Sequence, residues 1–488
     1  MKFTPTIGLE IHAELLTKTK MFCDCLNDET ELTPNKNICP VCAGHPGTLP
    51  VPNKQAVDFV IKTGLALNCM INHRSKFDRK NYFYPDLPKA YQISQYDQPL
   101  CKDGFLVLPE SGKKIRITRI HLEEDTARIV HEGPSINSGQ SASLIDFNRA
   151  GVPLMELVTE PDFHSAEDVV AFAKEFQKVL RYVSVSDGDM EKGHLRLEAN
   201  ISIAPEGSQT LGTKVEVKNL NSFRAVGGAV EYEIKRHTQL WNEGRQNEII
   251  QETRGWNDAK GETYTQRSKE EAHDYRYFPE PDIPPMEFLD ADIKAITETI
   301  VELPSARRER LSSEYNLSAQ QVALLVQDSV LCSFYEEAVS EARADVPDIS
   351  PELIFSYLSS DVKGIESDVG IILAESKLTP AFLADIAVLV HGNTISSRVA
   401  KDMLKRVYQS GENPNNIVKQ EGLVQVSDES ALMAIIQNII TSHADVVAQY
   451  KAGKQNALQF LIGKAMAQTK GAANPSVLRE LFEKELMR

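Results

Sequence analysis

Thr6-Ile7-Gly8-Leu9-Glu10-Ile11-His12-Ala13-Glu14-Leu15 is the stretch whose reading decides the fold of the N-terminal half. Ile7, Leu9, Ile11 and Ala13 share one face, and Glu10, His12 and Glu14 share the other. A period of two with one apolar and one charged face predicts a half-buried β-strand. A row of carboxylate, imidazole and carboxylate can hold a hard divalent ion, although magnesium is more usually held by carboxylates and substrate phosphates. The competing reading is a solvated polar face. Two further acidic clusters shift the balance: Arg119-Ile120-His121-Leu122-Glu123-Glu124-Asp125, and Leu154-Met155-Glu156-Leu157. Glu156 is flanked by apolar residues, and a carboxylate there is costly to bury without a cation or a donor.

A second pattern follows that strand. Cys23-Asp24-Cys25 is separated by thirteen residues from Cys39-Pro40-Val41-Cys42. Two short thiolate pairs at this spacing suit a tetrahedral zinc ion; with all four positions filled by protein, the site is structural. The chain has seven Cys, an odd number, and no secretion signal, which argues against a disulfide framework. Cys69, Cys101 and Cys332 are expected as core residues. Lys76-Phe77-Asp78-Arg79-Lys80-Asn81-Tyr82-Phe83-Tyr84-Pro85-Asp86 sets cations beside aromatics, a composition either for clamping phosphate and stacking on a base or for a charged loop with its aromatics turned into the core. Gly207 to Gly212 followed by Thr213-Lys214 has its Lys and Thr in the wrong order for a phosphate-binding loop and is read as a turn.

At 488 residues, with 42% hydrophobic and 25% charged residues, the chain can form two to four domains. No apolar run reaches 18 residues, and Met1-Lys2-Phe3-Thr4 leads straight into strand-like sequence, so neither a membrane span nor a leader is expected, and the expected compartment is cytoplasmic. A net charge of −16 opposes a broad basic surface, but residues 411–488 hold eight Lys or Arg against eight Asp or Glu. Any polyanion is therefore expected at this balanced tail, where Lys451, Lys454, Lys464 and Lys470 fall within twenty residues, and at local clusters of Arg and Lys.

Strand and helix signals interleave without a βαβ rhythm up to about residue 290, which indicates an α+β class. Residues 165–183 read as a helix: Ser165 caps it, and Val169, Phe172, Ala173, Phe176, Val179, Leu180 and Val183 form its stripe. Four prolines between Pro279 and Pro285 mark a boundary or rigid connector. The sequence then turns helical over about 305–410, with starts at Ser350-Pro351 and Thr379-Pro380. It breaks at Gly411-Glu412-Asn413-Pro414-Asn415-Asn416 and ends in short helices, with Gly471 stopping one and Asn474-Pro475 starting the next.

Ile7-Gly8-Leu9-Glu10-Ile11-His12, Asp78 to Asp86, Tyr91-Gln92-Ile93-Ser94-Gln95, Glu123-Glu124-Asp125, Lys218-Asn219-Leu220-Asn221-Ser222-Phe223 and His273 to Asp282 strongly resemble the B subunit of the bacterial aspartyl/glutamyl-tRNA amidotransferase, over essentially the full length. That resemblance implies a glutamine-synthetase-like catalytic cradle over 1–290 with the zinc loop at 23–42, an all-helical domain over 291–410, and a small helical tail over 411–488 that binds the tRNA body. It implies ATP-dependent amidation of Glu-tRNA(Gln) or Asp-tRNA(Asn) through a phosphorylated side chain. Glu10, His12, Glu124 and Glu156 then match the family's magnesium and kinase site, with Arg79 and Lys80 as phosphate contacts. Arg196-Leu197-Glu198-Ala199-Asn200 departs from the family's usual Arg-Cys-Asp-x-Asn and is left outside the site. The chain carries no Gly-Gly-Ser-Ser amidase signature, so an amidase (A) subunit is expected to supply ammonia, with a small C subunit completing a heterotrimer. The alternatives are a non-catalytic zinc-containing RNA-binding subunit, which hydrolyses nothing, and a free-standing glutamine synthetase relative, which uses free glutamate.

Overall fold

The alternation around Glu10 and His12 is realised as β1 (Phe3–Glu14), a central strand of the largest sheet. The computed structural model describes residues 2–132, 142–268, 275–423, 429–469, 473 and 475–486, and the chain divides into two compact units, 1–306 and 307–488. In the first unit β1 is followed by α1 (Lys54–Ala66), β2 (Met70–Ile71), β3 (Arg74–Ser75), β4 (Asp78–Asn81), β5 (Tyr91–Ser94), β6 (Cys101–Val107) and β7 (Lys114–Glu124). The chain continues through β8 (Arg128–Glu132), β9 (Ala142–Asp146), β10 (Pro153–Thr159), α2 (Ala166–Tyr182), β11 (Leu195–Pro205), β12 (Val215–Leu220) and α3 (Phe223–Asn242). It closes with β13 (Glu252–Asn257), β14 (Glu262–Ser268), β15 (Phe278–Pro279), β16 (Met286–Glu287) and α4 (Asp290–Thr297).

Among the described residues nine strands form one sheet in the order β14-β13-β12-β11-β1-β10-β7-β6-β2. Its pairs are antiparallel except β12 with β13. One face is apolar: Ile7, Leu9, Ile11, Leu122, Met155, Leu157, Leu197 and Ala199 are buried in a core with Val60 and Ile61 of α1, Phe172 and Phe176 of α2, and Val226 and Val230 of α3. α2 forms where its stripe requires: the Ser165 hydroxyl accepts from the Asp168 amide, and Glu167 and Asp168 stand in the first turn. With the helices on one face, the charged residues of β1, β7, β10 and β11 are left together on the other.

The proline run is a connector inside this unit, not its edge. β15 pairs with β4, Glu280 is buried, and β16 pairs with β3. The segment Gly207–Thr213 forms a loop with no helix behind it, as its residue order predicted.

The second unit is helical: α5 (Pro304–Tyr315), α6 (Ala319–Gln327), α7 (Ser329–Asp345), α8 (Pro351–Ser356), α9 (Lys363–Val369), α10 (Pro380–His391), α11 (Ser397–Ser410) and α12 (Pro414–Glu421). α13 (Glu429–Ser442), α14 (Ala444–Lys451), α15 (Asn456–Gln468) and α16 (Pro475–Leu486) follow. Thr379 caps α10 through the Phe382 amide, and Gly411 ends α11 at φ 73°, a left-handed conformation that favours glycine. α12 packs back on α10 and α11, so the polar break at 411–416 is a tight corner. The tail has its own core of Leu432, Ile436, Leu458, Leu461, Leu478 and Phe482. The expected helix stop at Gly471 and start at Asn474 lie outside the described residues. Among those residues no helix is long and apolar enough to cross a membrane.

Candidate active site

Strand register assembles the charged face. His12 lies opposite Glu156 of β10, and Glu156 lies opposite His121 of β7; on the other side of β1, Glu10 lies opposite Glu198 of β11. The His12 Nε2 is 3.5 Å from a Glu156 oxygen and 3.9 Å from oxygens of Glu10 and Glu123. The His121 Nε2 is 3.4 Å from Glu123 and 3.5 Å from Glu156. Glu10, His12 and Glu156 form one group with metal-ligand spacing, and His121, Glu123 and Glu156 form another. Donor atoms around an octahedral ion at 2.1 Å lie about 3.0 to 4.2 Å apart. Hard oxygen and imidazole donors at these separations fit a magnesium-sized cation. Glu10, Glu198 and Glu216 of β12 make a third group beside them, with the Lys218 ammonium 2.6 Å from Glu198 and 3.7 Å from Glu216.

The partners of Glu123 explain a motif. It accepts from the Ser94 hydroxyl at 2.7 Å and from the Gln92 amide at 3.1 Å, so β5 fixes a carboxylate of β7. Lys80 of β4 approaches the same carboxylate at 3.5 Å, and its ammonium lies over the Tyr275 ring at 5.2 Å. Tyr82 packs edge-on against Tyr275, which does the same to Tyr277, and Tyr277 stacks on Tyr96. These rings wall the side of the cluster that Lys80 occupies.

So many acids at close range perturb one another. Burial pushes the Glu10 carboxyl up to about 7, reinforced by Glu156 and Glu198. Burial and the neighbouring Asp125 raise Glu14 to about 8. Burial opposes the His12 imidazolium, but its hydrogen bond with Glu156 and the charges of Glu156, Glu123 and Glu10 outweigh this and raise it to about 9. Glu156 falls to about 2 because His121 and His12 overcome its burial. Burial likewise opposes Lys80, yet Glu123 and Glu156 hold its ammonium well above the usual range. Without a bound cation the cluster keeps itself near neutrality by retaining protons.

The structure brings together Glu10, His12, Glu156 and, through Glu123, Lys80, and it places two other residues of the expected set apart from them. Glu124 is not in the cluster. It faces away from Glu123, accepts from the Ile93 amide at 2.9 Å and pairs with Lys89 at 2.5 Å beside the cysteine loop. Arg79 is also turned off: neighbouring residues of a strand face opposite ways, and its guanidinium is held by buried Glu280 at 2.7 Å and by Asp282 at 3.3 Å over the Tyr91 ring. His121 and Glu123 belong to the acidic cluster read in the sequence but were not assigned to the site, and Glu198, Glu216 and Lys218 were not assigned to it either. For Glu198 the signal was the alternation of Arg196, Glu198 and Asn200 against Leu195, Leu197 and Ala199, in phase with β1. In the tail Lys451, Lys454 and Lys464 are exposed, and Lys464 lies over the Phe460 ring at 5.3 Å; Lys470 lies outside the described residues.

The sulfur atoms of Cys23, Cys25, Cys39 and Cys42 all lie within 4.8 Å of one another, with Cys25 to Cys42 at 4.0 Å and Cys39 to Cys42 at 3.9 Å. Four sulfurs at 2.3 Å from a tetrahedral zinc are about 3.8 Å apart, so the loop fits this ion. A hydrogen bond from the Cys23 thiol takes Cys42 down to about 4, and the same bond raises Cys23. Cys69, Cys101 and Cys332 are buried apart from the loop, as expected.

Residues 5–294 match the family model described as the GatB/GatE catalytic domain, and residues 333–486 match that of the GatB domain. The chain is 45% identical over 488 residues to the B subunit of the aspartyl/glutamyl-tRNA(Asn/Gln) amidotransferase of Caldanaerobacter subterraneus, covering 100% of both chains. The corresponding protein of Dehalococcoides mccartyi is 46% identical over 491 residues, with 99% of each chain covered, and that of Persephonella marina 43% over 488, with 100% of both.

The perturbed groups make stability depend on pH. His12 at about 9 lies above its ordinary 6.5, and Glu10 at about 7 and Glu14 at about 8 lie above 4.5. The folded chain thus holds protons that the unfolded chain releases, and its stability falls as pH rises through that window. The depressed Glu156 acts only as pH falls from 4.5 towards 2. In metal-free buffer the melting temperature of the protein should fall between about pH 5 and pH 9, and saturating magnesium should restore most of the loss at the upper end. A flat metal-free profile contradicts this electrostatic reading.

Proposed function

The chain belongs to the B-subunit family of the aspartyl/glutamyl-tRNA(Asn/Gln) amidotransferases, and we propose that its charged sheet face is where the misacylated side chain is phosphorylated. The protein acts in tRNA-dependent amidation, as part of a glutamine-dependent ligase that turns Glu-tRNA(Gln) or Asp-tRNA(Asn) into the amide. A carboxylate is a poor electrophile, so it is activated first. A side-chain oxygen takes the γ-phosphoryl group of ATP and ADP leaves; ammonia then attacks the carbonyl carbon and phosphate leaves.

What carries this reading is that oxygens of Glu156, Glu10 and Glu123 approach the His12 Nε2 at 3.5 to 3.9 Å, with Lys80 beside Glu123. These four are the proposed magnesium ligands, with Glu123 in the place expected for Glu124. Held by these residues, a magnesium ion would supply charge to the phosphate oxygens during phosphoryl transfer. Lys80, 3.5 Å from Glu123, would offer its ammonium to the γ-phosphate, and Gln92 and Ser94 hold the Glu123 carboxylate in place. His12 could hold the ion only as the neutral imidazole, so it would lose its Nε2 proton on binding it. Lys218, bound to Glu198, balances the far side of the cluster, and the tyrosine wall limits water near Lys80. Arg79 keeps the Glu280-Pro281-Asp282 connector in place and has a positioning role.

The cysteine loop is proposed to hold a structural zinc. The finer architecture, a glutamine-synthetase-like cradle over 1–290, a helical domain over 291–410 and a tail over 411–488, remains part of this reading, supported by the charged antiparallel sheet and by the tail's separate core. Partner A and C subunits complete it, with ammonia arriving from the amidase. A non-catalytic RNA-binding subunit is not favoured, since such a role has no use for acids gathered on one face beside a half-buried lysine.

Glu10→Gln, His12→Ala and Glu123→Gln should each reduce tRNA-dependent ATP hydrolysis by the assembled complex below about a tenth of wild type, with tRNA affinity nearly unchanged. Glu124→Gln should lower thermal stability more than turnover. Equal catalytic losses for Glu123→Gln and Glu124→Gln, measured as phosphate release, contradict the assignment.

The charge-balanced tail, with exposed Lys451, Lys454 and Lys464, is proposed to grip the tRNA body through shape and phosphate contacts. Because α12 packs on the helices before it, the informative truncation falls after residue 423. It should raise the KM for misacylated tRNA at least about tenfold and leave the partner's tRNA-independent glutaminase intact. Unchanged KM moves recognition elsewhere.

A further inference from the structure

Lys20 has 0% exposure, one of the largest side chains to be enclosed completely in this chain. Its ammonium donates to the Asn37 carbonyl at 2.7 Å and the Phe147 carbonyl at 3.2 Å, and its third neighbour is the Cys42 sulfur at 3.8 Å. Among the described residues no carboxylate pairs with it. The nearby Lys89 is neutralised by Glu124, which leaves Lys20 as the cation facing the sulfurs. Two neutral carbonyls satisfy its hydrogen bonds but not its charge, and a buried ammonium without an anion is costly. The cysteine loop has the complementary difficulty: four thiolates around a divalent ion carry roughly two negative charges in excess.

We propose that Lys20 is the built-in counter-charge of the four-cysteine metal site, a positioning residue that lets the loop keep all four sulfurs as thiolates on the ion. The surroundings are shaped for this. The Met21 amide donates to the Gly151 carbonyl at 2.7 Å, and Gly151, at φ 84°, brings its backbone close to the Cys42 and Lys20 side chains. Through Phe147 the same ammonium ties the metal loop to the turn that enters β10, the strand carrying Glu156. The inference rests on the proposed structural zinc but not on the catalytic reading, because its readout is metal retention.

The test uses the full chain purified with its zinc, and measures the rate of zinc loss to an excess of a chromogenic chelator beside circular dichroism as a check of fold. Lys20→Gln keeps two donors for the carbonyls and removes the charge, Lys20→Met removes both, and Lys20→Arg keeps the charge. The Gln and Met variants should lose zinc at least about tenfold faster than wild type, while Arg stays within about threefold, in line with the effect of outer-shell partners on metal affinity. If Met does not fold, Gln against Arg decides. Collapse of Gln with Arg folded supports the counter-charge. Wild-type retention in Gln, or equal loss or collapse in all three, overturns it, and absence of zinc from the wild-type protein instead refutes the metal site itself.

Discussion

Glu10, His12, Glu123 and Glu156 are crowded onto the central strands of one sheet, partly or wholly out of water, and this like-charge concentration is the constraint on which the rest depends. Acids this close cannot all ionise unless positive charge is supplied. The protein supplies part of it as Lys80, Lys218 and His12, and holds the remainder open by keeping a proton on Glu10. In the proposed reading, a divalent cation arriving with a polyphosphate would take the place of the protons on Glu10 and His12. The apolar face provides the rigidity this needs: α1, α2 and α3 pack on it and fix the strand register that places each carboxylate.

Much of this was legible in the chain. A period-two pattern gave β1 and its two faces, and thiolate spacing gave the cysteine loop. The Ser165 cap with its apolar stripe gave α2. The choice between Glu123 and Glu124 was harder for a physical reason. Ile115 and Ile117 set one phase on β7, Ile120 and Leu122 the other, and an irregularity in the pairing with β10 between Val158 and Thr159 separates them. After that shift His121 and Glu123 share the charged face, and Glu124 falls towards the cysteine loop. The same alternation separates Arg79 from Lys80, and no composition argument distinguishes two adjacent cations. Glu198 stands in phase with Glu10, but the stretch Arg196 to Asn200 that holds it was left outside the site because it departs from the family's usual residues.

The buried ionic groups outside the site divide by purpose. Arg79 with Glu280 and Arg196 with Asp125 tie distant parts of the chain to the sheet, where removing one partner strands the other. Lys20 with its carbonyls and the Cys42 sulfur differs, since its hydrogen bonds are complete and its charge is not. In the second unit charge plays a lesser part, and apolar helix packing with glycine and proline at the corners sets the fold.

The central claim is that Glu10, His12, Glu123 and Glu156 together hold a divalent ion. Its most direct test is a crystal structure of the protein soaked with manganese, read from the anomalous difference map. A peak within about 2.5 Å of the His12 Nε2 and of carboxylate oxygens of Glu156 and Glu123, with Glu124 still on Lys89, is the expected result. A peak at Glu124 instead, or none on the charged face at saturating manganese, contradicts the account.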